Sequence, residues 1–491
     1  MAPVCDIALI GNGIVPLSIA WELAMRAPKL RIAIVGPQDR TGAASIAAGA
    51  MLGCFGEVTH SSLRSSAGRA KFELSRLASS AWPRWVDDLN QWVPDELALE
   101  FTRGTIVIEN AVSDTLDSDN FDAILLALES YGEEHEFVSP RRILGIHPVP
   151  SARPMRAVYL PTEHAIDGHK VLSVLQRNLE AKGVTFLDDH CTGIDQVGER
   201  VSGLSLRSGD RVKAGTVVCA AGAFTTPILD TVLDPLQVQP VFAGTGIAFV
   251  SNRAARGEVP PQTVRTVNRA GSCGLHVVRL ARGRDYIGAT NAIFDRPNAH
   301  ATAGLSHFLL QCAIDQLDQW YAHAEIEHWR VGNRPVTLDT FPLLGASGLD
   351  GLFIAAGTYR DGFHASPVIA QILADEILEG RSSTSHPFAP TRTPISVFTI
   401  EESIAECSRH AICTGFEASL VLPRLWPDDV FRAAFPTINR RIYDALQLDT
   451  GLAPDILPFL SASMNSSGQE HIAFDRAKRL LSAKVASSGN I

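Results

Sequence analysis

Val4-Cys5-Asp6-Ile7-Ala8-Leu9-Ile10 is an apolar run rich in strand-forming residues and without alternation. That is the pattern of a parallel strand buried on both faces. Gly11-Asn12-Gly13 breaks it, and Leu17, Ala20, Trp21, Ala24 and Met25 then recur at helical spacing. Residues 31–35 form a second buried-strand run, so 4–35 predict one βαβ unit. The theme returns three times. An amphipathic stretch at 171–181 leads into the strand-like 184–187, residues 216–222 read as a buried strand ending in glycine, and 352–357 read as another, followed by a helix over 367–378. Residues 101–108 and 275–290 alternate instead, which suits antiparallel strands. Residues 382–394 are rich in Ser, Thr and Pro and read as a linker. Helical patterns follow at 400–407, 428–447 and 471–485.

Length and charge narrow this picture. The 491 residues give a soft expectation of roughly three domains, and a net charge of −10 supplies no electrostatic footprint for nucleic acid or an anionic membrane. No stretch is long and apolar enough to span a bilayer, and the first strand begins too near Met1 for a leader, so a cytoplasmic protein is expected. Eight cysteines without a C-x-x-C pair read as buried thiols. Cys407, His410 and Cys413 are three candidate ligands where structural zinc takes four, and no metal is expected.

The first chemistry lies in Gly11-Asn12-Gly13-Ile14-Val15-Pro16, between a strand and a helix. Gly11 permits the tight turn. Gly13 lets the backbone approach a pyrophosphate, whose charge the helix N-terminus stabilises. Pro16 stands where a third glycine is usual, in a first turn that tolerates the missing N–H. An acid normally ends the second strand to hold a ribose, but here the chain reads Gly36-Pro37-Gln38-Asp39. Gln38, Asp39 or backbone atoms are the alternatives. The small residues of Ala43-Ala44-Ser45-Ile46-Ala47-Ala48-Gly49-Ala50-Met51-Leu52 allow this segment to press against a flat cofactor, or to pack closely on a sheet.

Four segments together resemble the D-amino-acid oxidase superfamily of flavoenzymes, most of all its glycine oxidase and sarcosine oxidase branch. They are the Gly11–Pro16 turn, Ala44-Ser45 through Met51-Leu52, Val217 through Ala223, and a long C-terminal signature. The signature runs Gly332-Asn333-Arg334-Pro335 to Gly345 and resumes from Gly351 to Tyr359-Arg360-Asp361-Gly362; Ile287-Gly288-Ala289-Thr290 is a fifth, weaker match. The resemblance covers about residues 4–380. It implies an α/β (α+β) fold: a discontinuous FAD-binding Rossmann-like (GR2-type) domain at 1–100, 156–225 and 330–384, an antiparallel substrate-binding β domain at 101–155 and 226–329, and a helical extension at 395–491.

It also implies non-covalent FAD, since no cysteine lies between Cys312 and Cys407 to attach the flavin. Carried over, Gly11, Gly13, Ile14, Val15 and Pro16 flank the pyrophosphate, with Gly36 and Pro37 near the ribose. Ala44, Ser45, Ala48, Gly49 and Met51 line the ribityl and ring region. Cys191, or its neighbour Thr192, meets the adenine, and Ala221 and Gly222 are further cofactor contacts. Arg360, Asp361, Gly362 and Phe363 lie near the flavin's pyrimidine end. Arg334 takes the place of the arginine that forks onto the substrate carboxylate; guanidinium suits this by its paired coplanar donors. The plain alternative for Arg334 is an ion pair with Asp339 or Glu327. Counting back from Gly288 puts His276 where glycine oxidases have a substrate-facing tyrosine, and Asn291 falls at another substrate-dependent position.

The implied reaction passes the Cα hydrogen of glycine or an N-substituted glycine to flavin N5 as hydride. Hydrolysis of the imine gives glyoxylate and an amine, and O2 is reduced to hydrogen peroxide. The expected partners are therefore a small amine or amino acid with a carboxylate and O2, without nucleic acid or a membrane span, and a homo-oligomer is allowed. Rivals are a dehydrogenase that passes electrons to a quinone or partner subunit, a D-amino-acid oxidase, a non-catalytic scaffold, and a tRNA-modifying flavoprotein, which the acidic balance disfavours. For the extension, the crowding of Leu420, Leu422, Leu425, Trp426 and Phe431 suggests a cap over the substrate entrance or an assembly surface.

Overall fold

The computed structural model describes residues 4–252, 261–269, 271–421, 428–466 and 469–488. The opening run forms the strand Val4–Ile10, which lies parallel to Ile32–Val35 on one side and to Arg211–Cys219 on the other. Thr185–Leu187 and Leu352–Ala356 extend this parallel set outward. Ile32–Val35 and the C-terminal halves of Val4–Ile10 and Arg211–Cys219 are buried, because helices cover the sheet there. Ile14–Arg26, Ser66–Asn90, Gly168–Ala181 and Ser366–Glu379 pack on one face around Leu17, Trp82, Leu175 and Leu373. The antiparallel pair Cys191–Val197 and Arg200–Leu206 continues the sheet along the first half of Arg211–Cys219.

A second sheet of ten strands stands against the first. Its spine is the pairing of Val241–Asn252 with Ile326–Thr337 over nearly their whole lengths, joined by the hairpin His276–Leu280 and Arg284–Gly288. The sheet is mixed where a purely antiparallel one was expected: Thr263–Thr266 runs parallel to Thr105–Asn110, and Gly42–Ala43 parallel to Gly332–Asn333. Thr105–Asn110 is buried at all six positions, because the helix Thr115–Tyr131 covers one face and a second core lies against the other. Pro154–Leu160 and Ile326–Thr337 both belong to this sheet, so residues 156–160 and 330–337, expected in the dinucleotide layer, pair in the second sheet instead. Long-range pairing decided this, and local patterning carries no trace of it.

Beyond residues 382–394 the chain forms the helices Ile400–Glu417, Asp428–Leu446, Leu457–Asn465 and Gln469–Ser488. The first begins at a capping box: Thr399 takes the Glu402 amide and Glu402 returns the bond to the Thr399 amide. These helices share one apolar core with Phe242, Val336, Leu338 and Tyr359. Of the crowded apolar positions, Leu420 is exposed; Leu422, Leu425 and Trp426, with the side chain of Phe431, lie outside the described residues. All eight cysteines are free thiols. Among the described residues no helix is long and apolar enough to cross a membrane, and no group of His, Cys, Asp or Glu could hold a metal ion.

Candidate active site

A cavity of about 440 Å³ runs between the two sheets, from His190, Cys191 and Arg207 past the glycine turn to Arg334, His276 and Arg360. At the turn, Gly11 has φ +112° and an added Cβ would stand 2.5 Å from the Ala220 carbonyl, so the crossing of the two parallel strands admits glycine alone. Gly13 offers no side chain to cap the following helix. The Ser45 hydroxyl does so from the short helix Ala44–Ala47, accepting from the Ile14 amide at 2.9 Å. Ser45 thus both borders the cavity and completes the helix end that faces it. Gly222, with φ +58°, has open space where a Cβ would stand. Gly-rich backbone, a helix N-terminus and unobstructed length fit a dinucleotide cofactor.

At the ribose end, Gly36 and Pro37 line the cavity, whereas neither Gln38 nor Asp39 does. The Gln38 amide bonds to Asp188, and Asp39 is turned onto the amide and hydroxyl of Thr41. Arg40 enters instead, with φ +52°, bonding to the Asn12 carbonyl at 2.6 Å and to Gln176 at 2.7 Å. Ala44, Ala48, Gly49, Met51, Ala221, Gly222, Gly362 and Phe363 all border the cavity, as do Ile14, Val15 and Pro16. Asp361 is the exception among the expected contacts. Its carboxylate pairs with Lys71 at 2.8 Å, drawn outward by the helix Ser66–Asn90.

Arg334 sits opposite Gly244 in the spine of the second sheet. Its Nη1 donates to the Thr290 carbonyl at 2.9 Å and to Asn291 Oδ1 at 3.3 Å. Neither alternative ion pair forms: Asp339 is held by Arg392 and Glu327 by Arg284. The guanidinium lies over Gly246, where an added Cβ would be 2.1 Å from Nη1. Asn291 does not line the cavity but stands behind Arg334, donating to Tyr359 Oη at 2.8 Å and to the Gly271 carbonyl at 3.1 Å.

His276 is buried and stacked on Tyr286, with ring centroids 5.7 Å apart. Its Nδ1 lies 3.1 Å from the Gly274 carbonyl. A carbonyl only accepts, so Nδ1 carries the proton and Nε2 is the bare nitrogen. Nε2 points at Gly49, where a Cβ would come within 2.8 Å. Burial, reinforced by the Arg265 charge, lowers its pKa to about 3, so the ring is neutral near pH 7. Arg360 donates to the carbonyls of Arg269 and Ser272 at 3.0 and 2.5 Å.

Sequence reasoning missed Glu57, Tyr286 and Tyr359, all of which border the cavity. Burial alone would raise the Glu57 pKa. The Arg265 and Arg360 charges, with hydrogen bonds from Arg265 and Asn268, outweigh it and hold the carboxyl at about 2. Glu163 accepts from the successive amides of Cys54, Phe55 and Gly56 and so fixes the turn that carries Glu57 inward; burial pushes its own pKa up to about 7. The signal for Glu57 was a lone acid closing the otherwise uncharged stretch from Thr41 to Gly56.

One cavity joining a dinucleotide-type turn to a recess walled by two arginines is the layout of a two-layer flavoprotein fold. The chain belongs to the family of FAD dependent oxidoreductases (DAO), whose profile matches residues 6–376. It is similar to a glycine oxidase of Geobacillus kaustophilus, at 26% identity over 78% of this chain and 95% of that one. It is also similar to a bifunctional ThiO/ThiG protein of Trichormus variabilis, at 27% identity over 77% of this chain; the chain spans about half (53%) of that relative's length. Among solved structures, iminodiacetate oxidase from Chelativorans sp. BNC1 superposes with a TM-score of 0.66 at 18% identity, covering 78% of this chain and 99% of that one. The matched family region ends before residues 395–491.

Proposed function

We propose that this chain is an FAD-dependent oxidase of glycine oxidase type, acting on glycine or an N-substituted glycine (an N-carboxymethyl amine), with O2 as the terminal acceptor. The observation that carries this reading is Arg334: a half-buried arginine in the sheet's spine, without a carboxylate partner among the described residues, tied on one nitrogen and bordering the cavity beside His276. An anchored guanidinium with free coplanar donors is suited to fork onto a small carboxylate.

In this reading the first-sheet layer holds the cofactor and the second sheet roofs the substrate. The Val15 amide, the first-turn N–H left over after Ser45 takes that of Ile14 and Pro16 offers none, would face the pyrophosphate, with His190, Cys191 and Arg207 at the adenosine end, and Gly49, Met51, Gly362 and Phe363 at the ring. FAD, when bound, supplies the acceptor for the hydride that leaves the substrate Cα. Arg334 fixes the substrate's acid end, while the bare His276 Nε2 accepts a hydrogen bond from the amine and turns its lone pair toward the carbon that loses hydride. The Cα hydrogen leaves as hydride, so no side chain has to act as a general base if the amine enters neutral, and held orientation contributes much of the rate. The oxidised C–N bond then hydrolyses to glyoxylate and ammonia or an amine.

The test is anaerobic titration of the flavin-loaded protein with glycine, sarcosine, D-alanine and bulkier N-carboxymethyl amines. Bleaching by the glycine-type compounds, followed by peroxide release in air, is the expected result. Dye reduction without peroxide would turn the reading to a dehydrogenase, and no bleaching by any of them would overturn it. Arg334→Ala is expected to raise KM for these acids by roughly a hundredfold, the order of a lost charge-assisted pair, with flavin retained.

A further inference from the structure

The helices after residue 395 do not line the cavity, yet they reach its arginine. Asp455, in the turn Pro454–Ile456 that opens the helix Leu457–Asn465, accepts through Oδ1 from Tyr359 Oη at 3.0 Å and from the Gly271 amide at 2.7 Å. Tyr359 Oη in turn meets Asn291 Nδ2, and Asn291 Oδ1 meets Arg334 Nη1. We infer that Asp455 is a positioning residue that sets the orientation of Arg334 through Tyr359 and Asn291. The inference rests on the reading of Arg334 as the carboxylate anchor.

The argument is one of hydrogen-bond polarity. A carboxylate can only accept, so the single Tyr359 hydroxyl proton is spent on Asp455. The hydroxyl must then accept from Asn291, which obliges Asn291 to present its NH2 group there. That same NH2 also reaches the Gly271 carbonyl at 3.1 Å. Both amide protons are thus committed, and only Oδ1 is left for the guanidinium. The Gly271 carbonyl, which can only accept, and the guanidinium, which can only donate, hold the amide in the same sense. Asp455 is the common acceptor of the Gly271 amide and the Tyr359 hydroxyl, so its loss would release both groups that place Asn291. Asp455 therefore anchors the two groups, Tyr359 and Gly271, against which Asn291 is held behind Arg334.

A second contact from the extension works on the same loop. Glu417, the last residue of Ile400–Glu417, pairs with the buried Arg269, which Asp117 also holds at 3.1 Å. The carbonyl of Arg269 receives Arg360. His410, one turn and more before Glu417, packs on Gly271 so closely that an added Cβ there would lie 3.0 Å from its Nε2. Both cavity arginines are thus braced from behind by helices outside the matched family region. The Tyr359 ring is itself part of the core those helices build.

The experiment uses the full-length, flavin-loaded protein and acetate as a carboxylate probe, with its Kd measured by calorimetry and KM and kcat measured for the substrate that bleaches the flavin. Asp455→Ala should weaken acetate and raise KM about tenfold, the effect of losing one oriented hydrogen bond, with kcat and flavin content little changed. Asp455→Asn keeps an acceptor oxygen for Tyr359 and Gly271 and should restore binding to within about threefold. Asn291→Ala should match Asp455→Ala, and the double variant should be no weaker than either single one. Additive losses, or Asp455→Asn binding as weakly as Asp455→Ala, would overturn the inference. So would unchanged acetate binding in Asp455→Ala while Arg334→Ala loses it. If Arg334→Ala binds acetate normally, the reading of the anchor fails first. Should Asp455→Ala not fold, the Asn291→Ala and Asp455→Asn variants carry the same comparison.

Discussion

Gly246 decides by what it lacks. Its missing side chain is the space in which the Arg334 guanidinium lies, so Gly246→Ala is expected to push the arginine out of register and raise KM for carboxylate substrates at least tenfold, with the fold intact. Steady-state kinetics and a melting curve check both halves. At His276 the expectation concerns pH. The folded pKa of about 3 lies below the ordinary 6.5, so between these values the unfolded chain binds a proton that the native ring refuses. Stability then rises with pH across that window and is lost as pH falls below 6.5, by about 1.4 kcal/mol per pH unit for this one residue. His276→Gln removes this contribution, and the melting temperatures of parent and variant should converge as pH drops from 7 to 5. That Arg334, Arg360 and His276 border the cavity was legible from motif and spacing. Gly246 and Glu57 were not, because their roles come from a close approach and a buried charge network that assemble only across strands.

At the scale of elements, the βαβ unit and its glycine turn follow directly from the apolar runs and Gly11-Asn12-Gly13. What the sequence pattern left out is that the helix Ile14–Arg26 begins without a side-chain cap of its own and takes one from Ser45. Ser45→Ala should therefore cost about 0.5–2 kcal/mol and weaken flavin retention, readable as a lower melting temperature and a lower flavin-to-protein ratio after dialysis. The ribose end is a related case. An acid was sought at Gly36–Asp39, and Asp39 satisfies its own loop while Arg40 enters the site. The long helix Ser66–Asn90 was overlooked despite Ala78, Trp82, Trp85 and Leu89 at helical spacing, because Pro83 and scattered charges mask the period. The same helix supplies Lys71, which takes Asp361 away from the cavity.

On the scale of the whole molecule, the last hundred residues form part of the core. Leu460 is fully buried in the cluster that also holds Val336, Leu338 and Tyr359. Leu460→Ala should destabilise the protein by about 2–5 kcal/mol in a single cooperative transition shared with the flavin site, whereas a separately melting extension would contradict the shared core. The sequence by itself determined the dinucleotide layer and the order of the segments, and it singled out Arg334 as the candidate anchor, because each rests on local period or on residues within one motif. Only tertiary structure decided which sheet Ile326–Thr337 joins, that Arg334 has no carboxylate partner among the described residues, and that Asp455 stands behind it. Those facts depend on strand pairing, burial and hydrogen-bond direction between residues far apart in the chain, and such relations leave no local pattern to read.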